Sequence, residues 1–409
     1  MRHLVAHHSY ISCQKMNIKY CCQLWLLLLI VTSCESNNEP LSGNEPYSCS
    51  KITNTKELSH ERVRRVEIEN DSLLGLYGKI AVVKEGDTEY LYGVNFSLNR
   101  IEKFDLGQGA FLKSVNTAEN PTLYQLPISE AYFINSDSIF LFAAGGRVAL
   151  MNDDVEVSQA WDFSRIVKPS SNLSGVDPLN NSESMFMKGN SLFIRSYPPN
   201  NMDTEEVFYK KPFMIEFDIA TNQVKRTLGR YPTFMTDDSK NHFVNDFKFG
   251  WVLSPDGELL ISYRRGHCLA KLNLESETQE FISASSGSLD KFELIPREYN
   301  SQLARNIIIS EGIYHNLMYD PYKKLYYRIA SHKQPLRNPT INRLNSAAKK
   351  PFSIIVLDEN LNYKGEAVFP DKELYSYLNL TVSEEGIVIP VYDNNEEVVT
   401  FDIIKINVE

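Results

Sequence analysis

The sequence predicts an all-β fold: a β-propeller of six four-stranded antiparallel blades, with seven blades the main alternative count. Three observations lead there. A strand–turn–strand theme recurs along the chain. Its strands are short, β-branched or aromatic, and show no helical periodicity. Its turns place Pro, Asp, Gly and Asn where tight reversals need them. Radially repeated sheets bury their faces only against neighbours, so such a ring has to close.

The first element is not part of the ring. An apolar run from Leu24 follows the basic Lys19 and breaks into Val31-Thr32-Ser33-Cys34. A basic start, a short apolar core, small residues and a cysteine are the pattern of a lipoprotein signal. The run is too short to span a bilayer, which takes roughly 20 residues. Met16-Asn17-Ile18-Lys19 is the natural opening of such a signal, so residues 1–15, with His3, His7 and His8, are expected to be a false start. We therefore expect a signal peptide over 1–33 and Cys34 as the lipidated residue, palmitate among its acyl groups. Residues 34–60 then form a polar, flexible tether, and 61–409 the propeller. This places the body at the cell envelope, anchored to the outer membrane on its periplasmic or its outer face. Glu35 and Glu39 beside the lipid site could serve as an export address.

The ring begins with Glu61–Glu69, which alternates like a strand and could pair into the last blade, joining the two ends of the chain. Repeated units follow. The clearest runs from Leu253 to Tyr263: Pro255-Asp256-Gly257 supplies a preset φ and the glycine of a tight turn, and a buried strand follows. Cys268–Leu274 and Gln279–Ile282 complete it around a turn at Glu275–Thr278. Comparable sets are Thr88–Val94 with Arg100–Leu106, and Ile139–Ala143 with Arg147–Met151 and Val155–Trp161. Leu192–Ser196 joins Phe213–Ile219, and Leu325–Ile329 joins Phe352–Leu357 and Tyr363–Phe369. Ile387–Tyr392 with Val398–Ile404 is the last. The spacing of roughly 50 to 65 residues exceeds a minimal blade of about 40–50, and the excess falls in loops.

Composition sets limits. With 409 residues, 43% of them hydrophobic, the chain can fill a full core. A net charge of −10 argues against nucleic acid and against a polybasic membrane contact, leaving the lipid as the link to the membrane. Of six cysteines, only Cys49 and Cys268 belong to the mature body. A disulfide between them would tie a tether to a distant strand, so two free thiols are expected.

The stretch His315-Asn316-Leu317-Met318-Tyr319-Asp320-Pro321-Tyr322-Lys323-Lys324-Leu325-Tyr326-Tyr327-Arg328-Ile329 resembles the signature of the domain of unknown function 4221 family. Asn135–Phe142 and the strand pair from Tyr90 to Phe104 are similar to its members too. The resemblance covers about residues 62–409 and implies a Gram-negative lipoprotein related in appearance to six-bladed propellers. It brings no established activity. Where members often carry a Gly-Pro-rich loop, this chain has Glu119-Asn120-Pro121-Thr122, which puts any binding role of that loop in doubt.

Candidate chemistry lies at strand ends. Arg195, Arg264, Arg265 and Arg328 end the second strands of their units, with His267, His315 and His332 nearby. Equivalent ends converge on one face of a propeller, and guanidinium forks suit carboxylate, sulfate or sugar-acid groups. The plainer alternative is that each arginine pairs locally. The three histidines lack a metal-binding spacing, and no metal or other cofactor is implied. Asp320 is expected to hold its own turn, Tyr326 and Tyr327 to divide between core and rim, and the acid pairs Asp153-Asp154 and Asp237-Asp238 to face solvent. Asp71-Ser72-Leu73 and Asp137-Ser138-Ile139 carry a weak O-glycosylation pattern. Nucleophile elbow, zinc-protease, P-loop and dinucleotide motifs are absent. The expected role is binding of a small anionic or carbohydrate ligand, or of an envelope protein, without catalysis. The alternatives are a lyase or hydrolase using the Arg/His face, and an assembly scaffold.

Overall fold

The first strand of the ring holds the last. In the computed structural model β1 (His60–Glu69) pairs antiparallel with β26 (Val398–Ile406), from His60 opposite Ile406 to Glu69 opposite Val398. The residues described are 49, 52, 55–69, 77–123, 127–167, 185–196, 209–232, 241–242, 248–290, 292, 295–296, 301–392 and 398–408. Cys34, Asp71–Leu73 and the pair Asp237-Asp238 lie outside them. Residues 46–409 form one compact unit.

Five blades use consecutive strands. Blade 1 is β2 (Lys79–Glu85), β3 (Thr88–Asn95), β4 (Arg100–Asp105) and β5 (Ala110–Asn116). Blade 2 is β6 (Ile128–Asn135), β7 (Ser138–Ala143), β8 (Arg147–Met151) and β9 (Val157–Asp162). Blade 3 is β10 (Met185–Lys188), β11 (Ser191–Arg195), β12 (Pro212–Asp218) and β13 (Gln223–Arg230). A two-residue strand, β14 (Asn241–His242), precedes blade 4, which is β15 (Phe249–Leu253), β16 (Leu259–Tyr263), β17 (Cys268–Leu272) and β18 (Gln279–Ser283). β19 (Ile295–Pro296) pairs with β14. Blade 5 is β20 (Ile313–Asp320), β21 (Leu325–Ser331), β22 (Phe352–Asp358) and β23 (Tyr363–Phe369). Blade 6 joins β24 (Thr381–Val382) and β25 (Ile387–Pro390) to β26 and β1. Six blades, not seven, make the ring.

The core sits between blades. Six clusters of buried side chains each draw on two adjacent blades, for example Phe217 with Phe140 and Trp161, and Ile354 with Ile389 and Ile404. The second and third strands of a blade touch a neighbour on both faces. Their residues are therefore buried without alternation and mostly apolar, as in Leu259–Tyr263 and Phe352–Leu357, where Ser262 and Ser353 are the polar exceptions. The fourth strands keep one side wet: Phe111 and Leu112 of β5 are exposed.

Several expectations are corrected. Cys49 and Cys268 are not free thiols but a disulfide, with Cα atoms 5.5 Å apart. The bond is feasible because the segment before the ring lies along blades 4 and 5. The Ile52 amide donates to Ser285 Oγ (2.7 Å), and the Leu58 amide to the Glu366 carbonyl (2.9 Å). Gly365 admits that segment, since a Cβ there would stand 2.7 Å from the Lys56 carbonyl oxygen. Tyr326 and Tyr327 are both buried, because β21 is covered on its two faces. Asp153 does not face solvent: it accepts from Lys103 (2.8 Å), Lys113 (2.6 Å) and the Tyr92 hydroxyl (3.1 Å). Its neighbour Asp154 is exposed and pairs with Lys113. Asp320 does hold its turn, accepting from the Tyr322 and Lys323 amides at 2.9 and 3.0 Å. A helix that no periodicity announced, Ser301–Ser310, precedes blade 5.

Candidate functional site

Antiparallel pairing decides which ends of the strands meet. Phe249 at the start of β15 lies opposite Tyr263 at the end of β16, and Ile313 opposite Ser331 in blade 5. The starts of inner strands and the ends of second strands therefore share one rim of their sheets. Arg195, Arg264, Arg265, His267, His315 and His332 all fall at that end of their blades, while Arg328 stands within β21, three residues before its end.

Once there, the side chains take different partners. Arg328 is fully buried and stacks on the Tyr314 ring, 3.5 Å from its centroid. Its guanidinium donates to the Ser262 hydroxyl (3.0 Å) and to the carbonyls of Ala284 (2.8 Å), Gly266 (2.6 Å), Tyr263 (3.2 Å) and His267 (3.3 Å). Burial lowers it to about 10, still charged at neutral pH. It fastens the β16–β17 loop of blade 4 to blade 5. Arg195 does the same one junction earlier, donating to the Phe249 carbonyl (2.5 Å) over the rings of Phe249 and Trp251. His267 bonds the Tyr314 hydroxyl (2.9 Å) and His332 the Ser353 hydroxyl (3.1 Å). Arg265 is buried. Among the described residues no group of three His, Cys, Asp or Glu side chains gathers that could hold a metal ion.

Arg264 and His315 do meet. With Lys248 and Lys350 they line a cavity of about 200 Å³ among blades 4, 5 and 6. Phe249, Ile308, Ile313, Ala347, Ala348 and Leu378 supply apolar wall, and Tyr377, Asn316 and Gly250 complete it. Gly250 lets β15 approach β20: a Cβ there would stand 2.7 Å from Asn316 Cα and 2.8 Å from the His315 carbonyl oxygen. Lys350 ends the long β21–β22 excursion, and its Nζ donates to the carbonyls of Ile308 (2.7 Å) and Glu311 (2.6 Å). It thus caps the C-terminal end of the Ser301–Ser310 helix. Tyr377 donates to the Ala347 carbonyl and packs edge-on against His315, which bonds the Ser331 hydroxyl (2.9 Å).

Three cationic side chains, Lys248, Arg264 and Lys350, are among the described lining. Burial, then the charge of Arg264, brings Lys350 down to about 7, against the opposing pull of Glu311. Burial with Arg264 and Lys350 holds His315 well below the ordinary histidine value, so it stays neutral. Glu311 is drawn to Lys333 (3.1 Å), and no Asp or Glu is among the described residues of the lining. A larger recess of about 440 Å³ at the β20–β21 turn end mixes Asp256 and Glu359 with Lys271 and Lys324, so its charges offset one another. A third space, about 270 Å³, lies along the inner strands β2, β15 and β20, and shares Asn316 and Leu378 with the basic cavity.

Lys248, Lys350 and Tyr377 were missed in the sequence. Lys350 sits beside Lys349 in a loop, and nothing in that pair distinguishes the buried amine from the wet one. Tyr377 precedes an inner strand of only two residues, too short to read.

The ring, its closure and its basic rim define a six-bladed β-propeller with a cavity on one face. The family described as Domain of unknown function (DUF4221) matches residues 66–368, and the chain belongs to it. A crystal structure of a DUF4221 family member from Bacteroides vulgatus is similar, with a TM-score of 0.72 at 20% identity over 87% of this chain and 100% of that one. Virginiamycin B lyase from Staphylococcus aureus overlaps with a TM-score of 0.42 at 9% identity, over 84% of this chain and 99% of that one. BamB from Moraxella catarrhalis does so with 0.36 at 10%, over 86% and 98%. Those two likenesses carry no inference about this chain. No curated protein matches the sequence.

Proposed function

We propose that this chain is a lipid-anchored envelope protein whose propeller binds a small anionic ligand without converting it. One observation supports the binding half: Lys248, Arg264 and Lys350 line one cavity beside an apolar wall. Guanidinium and ammonium groups are the usual partners of carboxylate and phosphate, and charge-assisted hydrogen bonds to them are strong. The anchoring half rests on the Val31-Thr32-Ser33-Cys34 junction. The Cys49–Cys268 disulfide is consistent with it, since such bonds persist outside the reducing cytoplasm.

Two experiments test the halves separately. Cys34→Ser should release a folded, soluble body; a variant that still fractionates with lipid in the membrane defeats the anchor. Calorimetric titration with a panel of small carboxylates and phosphates should find a ligand that Arg264→Gln weakens by about tenfold or more. Turnover of that ligand by the wild-type chain, lost in the same variant, would replace binding with catalysis.

A further inference from the structure

We infer that the hairpin between β21 and β22 docks on a bilayer carrying anionic phospholipid headgroups, with Ile341 entering the interface and Arg337 and Arg343 meeting the phosphates. This rests on the lipid-anchor reading and adds a second contact to it.

A lone exposed isoleucine is ordinary on a protein surface. The setting of Ile341 is not. At 61% it is the most exposed of the described large hydrophobic side chains, and it stands at the tip of an ordered hairpin. Arg337 bridges Leu344 antiparallel, and the Asn338 amide donates to the Arg343 carbonyl (2.8 Å). Asn338-Pro339 opens the turn, with Asn338 Oδ1 accepting from the Thr340 amide (2.9 Å). Asn342 closes it at a φ of 51°, a conformation that asparagine tolerates. The base is braced as well. Buried Gln334 donates through its side chain to the carbonyls of Ile309 (3.0 Å) and Ser346 (2.9 Å), beside the Lys350 cap on the same helix. The fold therefore holds the isoleucine outward in one place, and little ordering is left to lose when the tip meets a surface.

Charge selects the surface. Residues 332–351 carry Lys333, Arg337, Arg343, Lys349 and Lys350 and no Asp or Glu. Lys333 and Lys349 pair with Glu311 and Glu373, and Lys350 is buried; the charges at the tip itself are the exposed Arg337 and Arg343. The net charge of −10 is a sum over the whole chain. Charges more than a Debye length of about 8–10 Å away are screened, so a headgroup meets the local set. An apolar side chain between guanidinium groups matches the boundary where phosphates give way to acyl chains. An acidic protein surface would need a socket placed for Ile341, whereas a bilayer offers one everywhere.

The tether leads to the same rim. The hairpin joins the second and third strands of blade 5, and the corresponding connection of blade 4 ends at Cys268, which holds Cys49. Cys34 precedes Cys49 by 15 positions. A chain of that length reaches at most about 50 Å. A lipid at Cys34 thus keeps this rim near the bilayer at an effective concentration of about millimolar order, where weak docking suffices.

The test reconstitutes full-length Ile341→Trp into vesicles of phosphatidylglycerol and brominated phosphatidylcholine, whose bromines quench tryptophan in the acyl region. Trp161 and Trp251 are buried, and the wild-type protein gives their background. Leu112→Trp, at an exposed apolar position on β5, is the reference. Quenching of Ile341→Trp should exceed that of Leu112→Trp at least about twofold. Adding Arg337→Gln with Arg343→Gln should remove at least about half of it, and vesicles of brominated phosphatidylcholine alone should show little. A protein that floats with the vesicles while Ile341→Trp is quenched no more than Leu112→Trp overturns the docking and leaves the anchor standing. Quenching as strong on the neutral vesicles, or indifferent to the two arginines, overturns the anionic headgroup. A co-purifying protein that shields Ile341→Trp in place of lipid ends the lipid reading of this rim. A chain that fails to float brings down both readings.

Discussion

Arg328 and Arg264 look alike in the sequence, both at the close of a strand, and the fold uses them differently. Arg328 satisfies four backbone carbonyls and a hydroxyl inside a blade junction, whereas Arg264 reaches a cavity. Arg328→Met would leave those carbonyls dry and should cost about 3–5 kcal/mol, read as a lower denaturant midpoint. Arg328→Lys should not restore it, since an ammonium cannot present the planar fork. A midpoint within error of wild type would show that the clamp is idle. His315 and His332 make the second expectation at this scale. Burial lowers both, so the unfolded chain takes up protons near pH 6.5 that the folded chain refuses. The unfolded state then binds more protons, and stability falls as pH drops through about 6.5 and below. The slope reaches at most about 1.4 kcal/mol per pH unit for each histidine. Urea unfolding at pH 7.5 and 5.5 measures it; equal stabilities would refute it. Lys350 works on the ligand instead. Held near 7, it loses its charge above neutrality, yet a neutral amine keeps two N–H groups for its two carbonyls. Anion affinity should therefore weaken from pH 6.5 to 8.5 while the stability of the ligand-free fold rises, because the unfolded lysine still binds the proton that the folded one has lost. Affinity flat across that range would mean that Lys350 stays charged or lies away from the ligand.

At the scale of elements, the segment before β1 departs most from its composition. Rich in turn formers and expected to stay solvated as a tether, it is held from Cys49 by a disulfide, by Ile52 on Ser285 and by an exchange of backbone bonds between residues 56–58 and Glu366. None of these partners is nearer than 219 residues in sequence, so no local pattern could have shown them. Cys49→Ser should lower stability by about 2–4 kcal/mol through the wider freedom of the unfolded chain. A reduced wild-type protein should lose the same amount; thermal unfolding with and without reductant decides, and no difference would mean that the docked backbone suffices. The second and third strands of the blades, by contrast, were legible almost to the residue. Buried on two faces, they are largely apolar runs such as Leu259–Tyr263, broken only by Ser262. Inner strands were not read: β10 and β24 are short, and β2, though seven residues long, mixes buried and half-buried positions without a clean alternation.

At the scale of the whole molecule the ring stands on one seam. β1 gives blade 6 its outer strand and places Val66 and Ile68 in the core shared with blade 1. Removing residues 60–69 would bare the β26 edge and open that core, inviting aggregation. The deleted chain should lose cooperative unfolding and elute as oligomers in size-exclusion chromatography; a monomer melting near the wild-type temperature would show that the ring tolerates an open seam.

The sequence by itself determined the class of fold, the six units and the strand that closes them. Those follow from local turn chemistry, from two-sided burial of the middle strands and from the alternation of residues 61–69, all of which leave a periodic trace. Only the tertiary structure decided which cations share a cavity, which arginine is a clamp and that Cys49 finds Cys268. These depend on contacts between blades, and position along the chain carries no record of which side chains a closing ring will bring together.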